Sequence, residues 1–423
     1  MIIRIKTFVQ ILTTLQKRCI LYAYKSSTHP VSEVMTMKFT KVLSFVLAAV
    51  MTLGLFAGCG AVNYAENNTE YVIGVSGPLT GGAAIYGTAV ANSAQMAVDE
   101  INAAGGLNGV TFKLIAADDM NDAAKIATNY SSMYEGGMQV SLGTVTSAPG
   151  LEFKNLSHDD NVFFLTPSAS ADGIPEFDNG YQMCFADGNQ GKAAAEYVNA
   201  NFSGKTIGIF YKSDEPYSNG IYNQFKANLD ASVTVVETTF TDANTSDFST
   251  QIDTLKGCGF IFMPIYYTPA SLFMMQAKDI MHPTATYYGC DGFDGLENVE
   301  GFDITSIPQE VTMLSHFNSK AEDGAAKEFI DKYVDKFGAD TLNQFGAAAY
   351  DCVYAIYGAM KKAIDEGKDI PVTISASDLC DILKDQFNGG YTYTNGATGE
   401  SISWESTGYV NKGAIKYVIK EAN

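Results

Sequence analysis

Short apolar runs alternate with amphipathic stretches from residue 71 onward, and this alternation restricts the fold more than any other sequence feature. A short continuous apolar run is typical of a strand buried on both faces of a parallel sheet, and apolar residues at helical spacing are typical of a covering helix. We predict strands at Tyr71–Val75, Phe112–Ala116, Gln139–Leu142, Val162–Leu165, Ile207–Tyr211, Val233–Val236, Phe260–Ile265 and Ala285–Tyr288. We predict helices at Ala89–Ile101, Ala123–Tyr134, Gly191–Asn201, Tyr217–Leu229, Phe248–Leu255, Ala270–Ile280, Ala325–Phe337, Gln344–Ile364 and Ala376–Phe387, before a β-rich tail at Tyr391–Ile419.

These units are too many for one sheet, and a chain of 423 residues is too long for one core. We therefore predict an α/β fold of two doubly wound, Rossmann-like lobes, with a ligand held between the carboxyl ends of their strands. Polar turns leave the predicted strands, as expected of a binding edge. They are Ser76–Gly82, Gly143–Pro149, Thr166–Gly173, Tyr211–Asn219, Tyr266–Ala270 and Cys290–Gly295.

Hydroxyl-rich turns follow the predicted strands of the first half. Gly143–Gly150 reads GTVTSAPG and Thr166–Gly173 reads TPSASADG, which place Ser147, Ser168 and Ser170 beside helix starts. Backbone N–H and hydroxyl donors at a helix N-terminus bind anions, and the sequence has no Walker, GxGxxG, GxSxG or HExxH pattern. A small carboxylate therefore suits these turns better than a diphosphate. The alternative is that each hydroxyl only caps its helix.

A single acid follows a strand of the second half. Asp291 is the first turn residue of CDGFDG, Cys290–Gly295. In a cleft, such a carboxylate needs a cationic partner, whereas in an Asx-turn it faces water. Tyrosines in the same class of loops either wall a pocket or pack in the core, and these are Tyr86, Tyr217, Tyr266 and Tyr267.

Composition excludes several classes of function. The chain has 27 Lys and Arg against 47 Asp and Glu, so its surface repels nucleic-acid phosphates and we expect no nucleic-acid partner. The chain has only four His, and none of them pairs at the spacing typical of metal ligands, so we predict no metal site and expect no cofactor. The acidic run Asp118–Asp122 lacks the Gly and the terminal Glu of an EF-hand loop, and a strand exit followed by a helix cap explains it better. Five Cys beyond Cys59 predict buried free thiols.

The N-terminal region has the pattern of a secretion signal. Met37–Lys41 is basic, Val42–Ala57 is apolar and uncharged but shorter than the ~20 residues of a bilayer span, and Leu55–Cys59 reads LFAGC. This ending resembles the lipobox of bacterial lipoproteins, in which the Cys, here Cys59, is lipidated; a plain membrane anchor is the alternative. Because the signal restarts at Met37, we predict that residues 1–36 are a mis-called upstream segment.

Seven motifs occur in the order GPLTGGAAIYGTA, VDEINAAGGLNG, ADDMNDAAKIA, TPSAS, YSNGIYNQF, IYYTPA and GCDGFDG. Together they resemble the solute-binding lipoproteins of branched-chain amino-acid ABC transporters, over about residues 71–423. The resemblance implies the type I periplasmic binding protein fold, in which two lobes joined by a hinge close on an amino acid. It places lobe 1 at 70–187 and 318–390 and lobe 2 at 188–317 and 391–423, after a signal peptide at 37–58 and a polar tether at 59–69.

The same resemblance implies roles for the turn residues. Ser147 is similar to the family's carboxylate-binding serine, with Val145 contributing backbone. Ser168 and Ser170 match the TPxxS/T turn, in which the first offers a carbonyl to the ammonium and the second a hydroxyl. Asp291 matches the acidic ammonium anchor, which is often Glu in the family.

The resemblance also implies pocket aromatics and partners. Tyr86, Tyr217 and one of Tyr266 and Tyr267 match pocket aromatics, and Tyr86 is expected to face the ligand. The expected partners are a small amino acid, ABC permease subunits with their ATPases, and the membrane through a lipid anchor on the extracytoplasmic face; a monomer is expected. The alternatives are a sensory receptor domain, a binder of amides, urea-like solutes or aromatic acids, and an enzyme that uses the same cleft.

Overall fold

The computed structural model of the protein describes residues 62–422, and within them the chain forms strands and helices in alternation. The strands are β1 Tyr71–Gly77, β2 Phe112–Asp118, β3 Val140–Thr144, β4 Phe164–Thr166, β5 Gly180–Gln182, β6 Thr206–Lys212, β7 Thr234–Phe240, β8 Phe260–Met263, β9 Thr286–Gly289, β10 Glu310–Ser315, β11 Thr392–Gly396, β12 Gly399–Ser403 and β13 Ile415–Lys420. The helices are α1 Ala84–Ala103, α2 Ile126–Glu135, α3 Ser147–Asp159, α4 Asp187–Asn201, α5 Pro216–Asn228, α6 Ser249–Leu255, α7 Tyr267–Ala277, α8 Gly324–Phe337, α9 Gln344–Asp365 and α10 Ala376–Asn388.

The first sheet has the strand order β2-β1-β3-β4-β5 in the described chain, and all its pairings are parallel. Strand β1 lies beside β2 from Tyr71 opposite Phe112 to Gly77 opposite Asp118. Every residue of β1 and of β3 is buried, because helices cover both faces of the sheet. All the strands therefore point their carboxyl ends toward the same edge of this sheet.

The second sheet has the order β13-β10-β9-β8-β6-β7 within residues 62–422. Its strands are parallel except β13, which pairs antiparallel with β10 at one edge. The predicted architecture of two doubly wound α/β lobes is confirmed by these two sheets and their helices. Among the helices of the described residues, none combines the length and apolar character that crossing a bilayer requires.

Two strands lie outside the predicted ones, and three helices begin several residues earlier than predicted: α1 at Ala84, α4 at Asp187 and α7 at Tyr267. Strand β5 reads GYQ and is only three residues long, and β10 reads EVTMLS, so neither has the continuous apolar run that identifies the other strands. Helix α3 begins at Ser147, inside the predicted turn Gly143–Pro149. A turn of 3-10 helix at Ala123–Lys125 precedes α2 and is capped by the Asp122 side chain, which accepts the N–H of Ala124 at 2.9 Å.

The second part of the predicted tether at 59–69 packs against the folded body. The Asn68 side chain donates to the carbonyl of Gly137 at 2.9 Å, and the ring of Tyr64 packs edge-on against Tyr134 at 5.2 Å. Ala65 is buried. These contacts hold residues 63–68 against the folded body. The predicted mis-called segment 1–36, the signal 37–58 and Cys59 lie outside the described residues.

The predicted β-rich tail consists of two parts that pack in different places. Strands β11 and β12 form a hairpin, and Asp351 of α9 accepts the N–H groups of Ala397 and Thr398, both at 2.8 Å. Trp404 donates its indole N–H to the carbonyl of Gln182, the last residue of β5, at 2.8 Å. Of the three tail strands in the described chain, β13 is the one that joins the second sheet. The lobe boundaries stay a prediction, and these contacts favour grouping the hairpin with the first sheet.

The predicted free thiols are confirmed for the described residues. All five cysteines there are buried and form no disulfide: Cys184, Cys258, Cys290, Cys352 and Cys380. Burial raises the pKa of each of these thiols. They therefore stay protonated at neutral pH and act as small apolar groups.

Candidate functional site

A small cavity lies where the carboxyl ends of the two sheets face each other, and its free interior volume is about 10 Å³, room for about one water molecule. This is far below the volume of pockets that hold a ligand, so the walls must move apart before a solute enters. Its wall comes from the turns and helix starts that follow β1, β3 and β4 of the first sheet and β6, β8 and β9 of the second, and from the start of α9. The lining residues are Tyr86, Val145, Thr146, Ser147, Ser168, Ser170, Tyr217, Tyr266, Asp291 and Phe345.

One end of the cavity consists of hydroxyl groups at the N-terminus of α3. Thr146 is the N-cap residue, but its side chain makes no capping hydrogen bond, and its buried Oγ1 has no partner in the described chain. The Oγ of Ser147 accepts the N–H of Ala171 at 3.2 Å, so its own hydrogen stays available to a ligand. Simple capping therefore does not account for these hydroxyls. The helix N-terminus and the two donors favour an anionic group here.

The other end of the cavity holds a buried acid. Asp291 is 1% exposed and opens a turn of 3-10 helix directly after β9. Its Oδ1 accepts the hydroxyl of Tyr217 at 2.7 Å, and its backbone N–H donates to the Gln190 side chain at 3.0 Å. Its Oδ2 has no hydrogen-bond partner among the described residues. Burial raises the pKa of Asp291 to about 6, and the hydrogen bond from Tyr217 partly opposes this rise.

Aromatic rings form the walls between the two ends. Tyr217 and Tyr266 are stacked with ring centroids 4.7 Å apart. Tyr86 meets Tyr266 edge-on at 5.7 Å and Phe345 edge-on at 4.8 Å. Burial raises the pKa of the Tyr86, Tyr217 and Tyr266 hydroxyls well above the ordinary value, so all three stay neutral. The walls are therefore apolar on the ring faces, with neutral hydroxyls at the edges.

The structure brings eight of the nine predicted site residues to this cavity and leaves Tyr267 out of its wall. Tyr267 packs edge-on against the ring of Tyr86 at 4.8 Å, and its hydroxyl accepts the N–H of Ile85 at 3.2 Å. Tyr266 has an extended backbone as the N-cap of α7, whereas Tyr267 is the first helical residue, so the two side chains leave in different directions.

Sequence reasoning missed Phe345 as a lining residue. It is the second residue of α9, and the Asn343 side chain fixes it there by accepting the N–H groups of Phe345 and Gly346 at 3.1 and 3.0 Å. An apolar residue at a helix start has the pattern of a core residue, so the sequence held no signal for it. Thr146 also lines the cavity, although the sequence marks it only as one hydroxyl of the GTVTSAPG turn.

Groups from the two sides of the cavity also form direct hydrogen bonds with each other. Tyr86 donates its hydroxyl to the carbonyl of Gly292, and Thr268 donates its hydroxyl to the carbonyl of Gly82 at 2.6 Å. The N–H of Gln344 donates to Asp294 at 2.9 Å. These bonds hold the first-sheet side against the second-sheet side. The cleft is therefore closed, and this accounts for the small volume of the cavity.

The charge balance of the cavity wall is negative. In the part of the chain that the structure describes, the wall contains the carboxylate of Asp291 and no Lys, Arg or His. Within those residues, no group of three or more His, Cys, Asp or Glu could hold a metal ion. A buried carboxylate without a cation is costly, so the arrangement suits a ligand that supplies the positive charge.

Comparison with known sequences gives several relatives that are similar over most of their length. A leucine-, isoleucine-, valine-, threonine- and alanine-binding protein of Pseudomonas aeruginosa is 29% identical over 337 residues, which cover 77% of this chain and 86% of the relative. The Leu/Ile/Val-binding protein BraC3 of Rhizobium johnstonii is 28% identical over 327 residues, which cover 73% and 86%.

Solved structures agree with the fold. The substrate-binding protein LivJ of Streptococcus pneumoniae, solved with isoleucine, superimposes with a TM-score of 0.71 at 25% identity and covers 83% of this chain and 98% of its own. The leucine-binding protein LivK of Thermotoga maritima gives a TM-score of 0.70 at 22% identity, and the match covers 84% of this chain and 96% of its own.

The family model for periplasmic binding proteins matches residues 70–377, which is more than half of the chain. On this match, and with two α/β lobes around one cavity, the protein belongs to the periplasmic binding protein family.

Proposed function

We propose that this protein captures a small apolar α-amino acid outside the cytoplasm and delivers it to the permease of an ABC importer. The observation that carries the proposal is the arrangement of the cavity. Hydroxyl donors at a helix N-terminus lie at one end, and a buried carboxylate with no cationic partner among the lining residues lies at the other. The relatives named for leucine, isoleucine and valine binding support the same ligand class.

The cavity matches the parts of a zwitterion one by one. The ligand carboxylate would accept hydrogen bonds from Ser147 and Thr146 at the start of α3, where the helix dipole also favours negative charge. The ligand ammonium would pair with the free Oδ2 of Asp291. The rings of Tyr86 and Phe345 would contact an aliphatic side chain. Micromolar affinity needs about 8 kcal/mol, and four or five hydrogen bonds to charged groups at roughly 1.5–3 kcal/mol each are enough.

Capture depends on a hinge motion in this proposal. The wall residues come from both sheets, so a ligand that touches both sides favours the closed cleft over an open one. The bond from Tyr86 to Gly292 and the bond from Thr268 to Gly82 would form on closing and release on opening. The closed surface would then be the form that the permease recognises.

The same cavity argues for binding without chemistry. Among its lining residues in the described chain, no His or Cys stands beside Ser147 or Tyr217 to take a proton from it. The lining hydroxyls are neutral and well placed to donate. We therefore infer a carrier rather than an enzyme.

We also propose a lipid anchor. The support is the LFAGC sequence at Leu55–Cys59 after a short apolar run, which would make Cys59 the first residue of the mature protein. Since residues 63–68 are packed on the folded body, the free linker between the lipid and the body would be only a few residues long. The anchor would keep the protein on the extracytoplasmic face, near the permease.

A melting-temperature screen tests the ligand class. We expect leucine, isoleucine or valine at about 100 times the dissociation constant to raise the melting temperature by ~5 °C, because a ligand that binds only the folded state adds about 2.7 kcal/mol of stability at that ratio. The panel includes D-leucine as the matched control and benzoate and urea as other ligand classes. A shift for benzoate or urea, with none for any amino acid, would contradict the proposed function.

Affinity for the amino acid is expected to depend on pH through Asp291. Since the pKa of Asp291 is raised to about 6 by burial, the carboxyl is neutral below that pH and cannot pair with an ammonium. Titration calorimetry should show leucine affinity that falls as the pH drops through 6, by about tenfold for each unit below 6. Affinity that is level from pH 5 to 8 would rule out this pairing.

A further inference from the structure

A second buried carboxylate lies beside the cavity. Asp187 is the first residue of α4 and is 1% exposed. Neither of its two carboxylate oxygens has a hydrogen-bond partner with good geometry among residues 62–422. A buried carboxylate without a well-formed hydrogen bond or a cation is unusual, because its desolvation is offset only weakly.

The contacts of Asp187 place it next to the ammonium end. Its N–H donates to the carbonyl of Ser170, a lining residue, at 2.8 Å. One turn further along α4, Gln190 accepts the N–H of Asp291, and its own Nε2 has no partner in the described chain. Asp187 and Gln190 are three residues apart and share one face of α4. This face therefore lies against the turn that carries Asp291.

The charged groups around Asp187 are acidic. Those that act on it most are Asp291 from the turn after β9, Asp172 from the turn after β4 and Glu215 from the start of α5. Cys184, Tyr266 and Tyr409 also face it and are themselves neutral at pH 7. The Ser170 hydroxyl lowers the pKa of Asp187, but burial and Asp291 raise it well above its ordinary value.

We propose that Asp187 is a second anchor of the ligand ammonium, which lies between the carboxylates of Asp187 and Asp291. This inference rests on the proposed function and narrows it to ligands with a primary ammonium group. A plain carboxylic acid would leave two buried acids unpaired, so the site would reject it. One ammonium has three N–H donors, enough for both carboxylates and one carbonyl.

The test compares two ligands in two proteins. Calorimetry at pH 7.5 measures leucine and 4-methylpentanoate, which is leucine without its ammonium, in the wild type and in Asp187→Asn. We expect the variant to bind leucine about 10- to 100-fold more weakly and to change its affinity for 4-methylpentanoate by less than about threefold, or to strengthen it. The exposed Asp230→Asn provides the same chemical change away from the cavity and should match the wild type.

A second measurement needs no variant. Burial and Asp291 raise the pKa of Asp187 in the empty site, and an ammonium beside it would lower that pKa, so leucine binding to the wild type near pH 7 should release protons, measured by calorimetry in two buffers of different ionisation enthalpy. 4-Methylpentanoate should release none. Equal proton release for the two ligands, or equal weakening of both in Asp187→Asn, would overturn the inference. An unchanged leucine affinity in the variant would overturn it too, whereas a wild type that binds no amino acid would contradict the proposed function instead.

Discussion

Replacing Asp291 with asparagine is expected to weaken leucine binding at pH 7 by a factor between about a hundred and several thousand. The ligand ammonium would be desolvated in the cavity without its first counter-charge, and such a loss costs on the order of 3–5 kcal/mol. Asparagine keeps the shape of the side chain, and its carbonyl oxygen can still accept the Tyr217 hydroxyl. Titration calorimetry with leucine measures the change.

The control for this variant is Asp303→Asn. Asp303 is exposed and caps a turn of 3-10 helix by accepting the N–H of Thr305 at 2.9 Å. The Asp303→Asn variant loses the same charge as Asp291→Asn but outside the cavity, so its leucine affinity should stay within about twofold of the wild type. If Asp291→Asn binds leucine as tightly as Asp303→Asn does, Asp291 is not an ammonium anchor.

The second large effect is expected from Gly87→Ala, in the glycine-rich turn and helix start that carry Tyr86. A Cβ at position 87 would overlap the backbone carbonyl of Pro78, which cannot move without the rest of the turn. We expect a loss of ~3 kcal/mol in the free energy of unfolding, even though alanine has the better helix propensity. Tyr86 would also be displaced from the cavity wall, so leucine binding should weaken. Urea unfolding and calorimetry measure the two effects.

Gly82→Ala is the matched control, since Gly82 belongs to the same turn. The nearest atom to a Cβ at position 82 is the Thr268 Oγ1 at 3.7 Å, an ordinary van der Waals distance. Its unfolding free energy should stay within about 0.5 kcal/mol of the wild type. Equal stability of the two variants would mean that close approach to Pro78 is not what requires glycine at 87.

Much of the site could be predicted because parallel sheets align their strand ends. The turns that contain Ser147, Ser168 and Asp291 follow separate apolar runs, and in a doubly wound fold all such turns meet at one edge. Their residue types then indicated opposite charges at the two ends. The prediction needed no knowledge of side-chain direction, because a turn of a few residues brings its polar groups near the edge in any case.

Side-chain direction and long-range partners could not be predicted in this way. Tyr266 and Tyr267 are adjacent and of one type, and only the start of α7 decides which of them lines the cavity. Asp187 has the sequence pattern of an acid at a helix start, where it would ordinarily face solvent. Its importance comes from burial near Asp291, which is distant from it along the chain.

The amino-acid sequence by itself determined the alternation of strands and helices, the two sheets and the turns that meet between them, because burial on both faces of a sheet leaves a local apolar pattern. Tertiary structure alone decided that residues 63–68 pack on the body, that Phe345 completes the wall and that Asp187 has no counter-charge among the described residues. These are contacts between distant segments, and their energy depends on which groups meet and which are shielded from water. A local pattern does not contain that information.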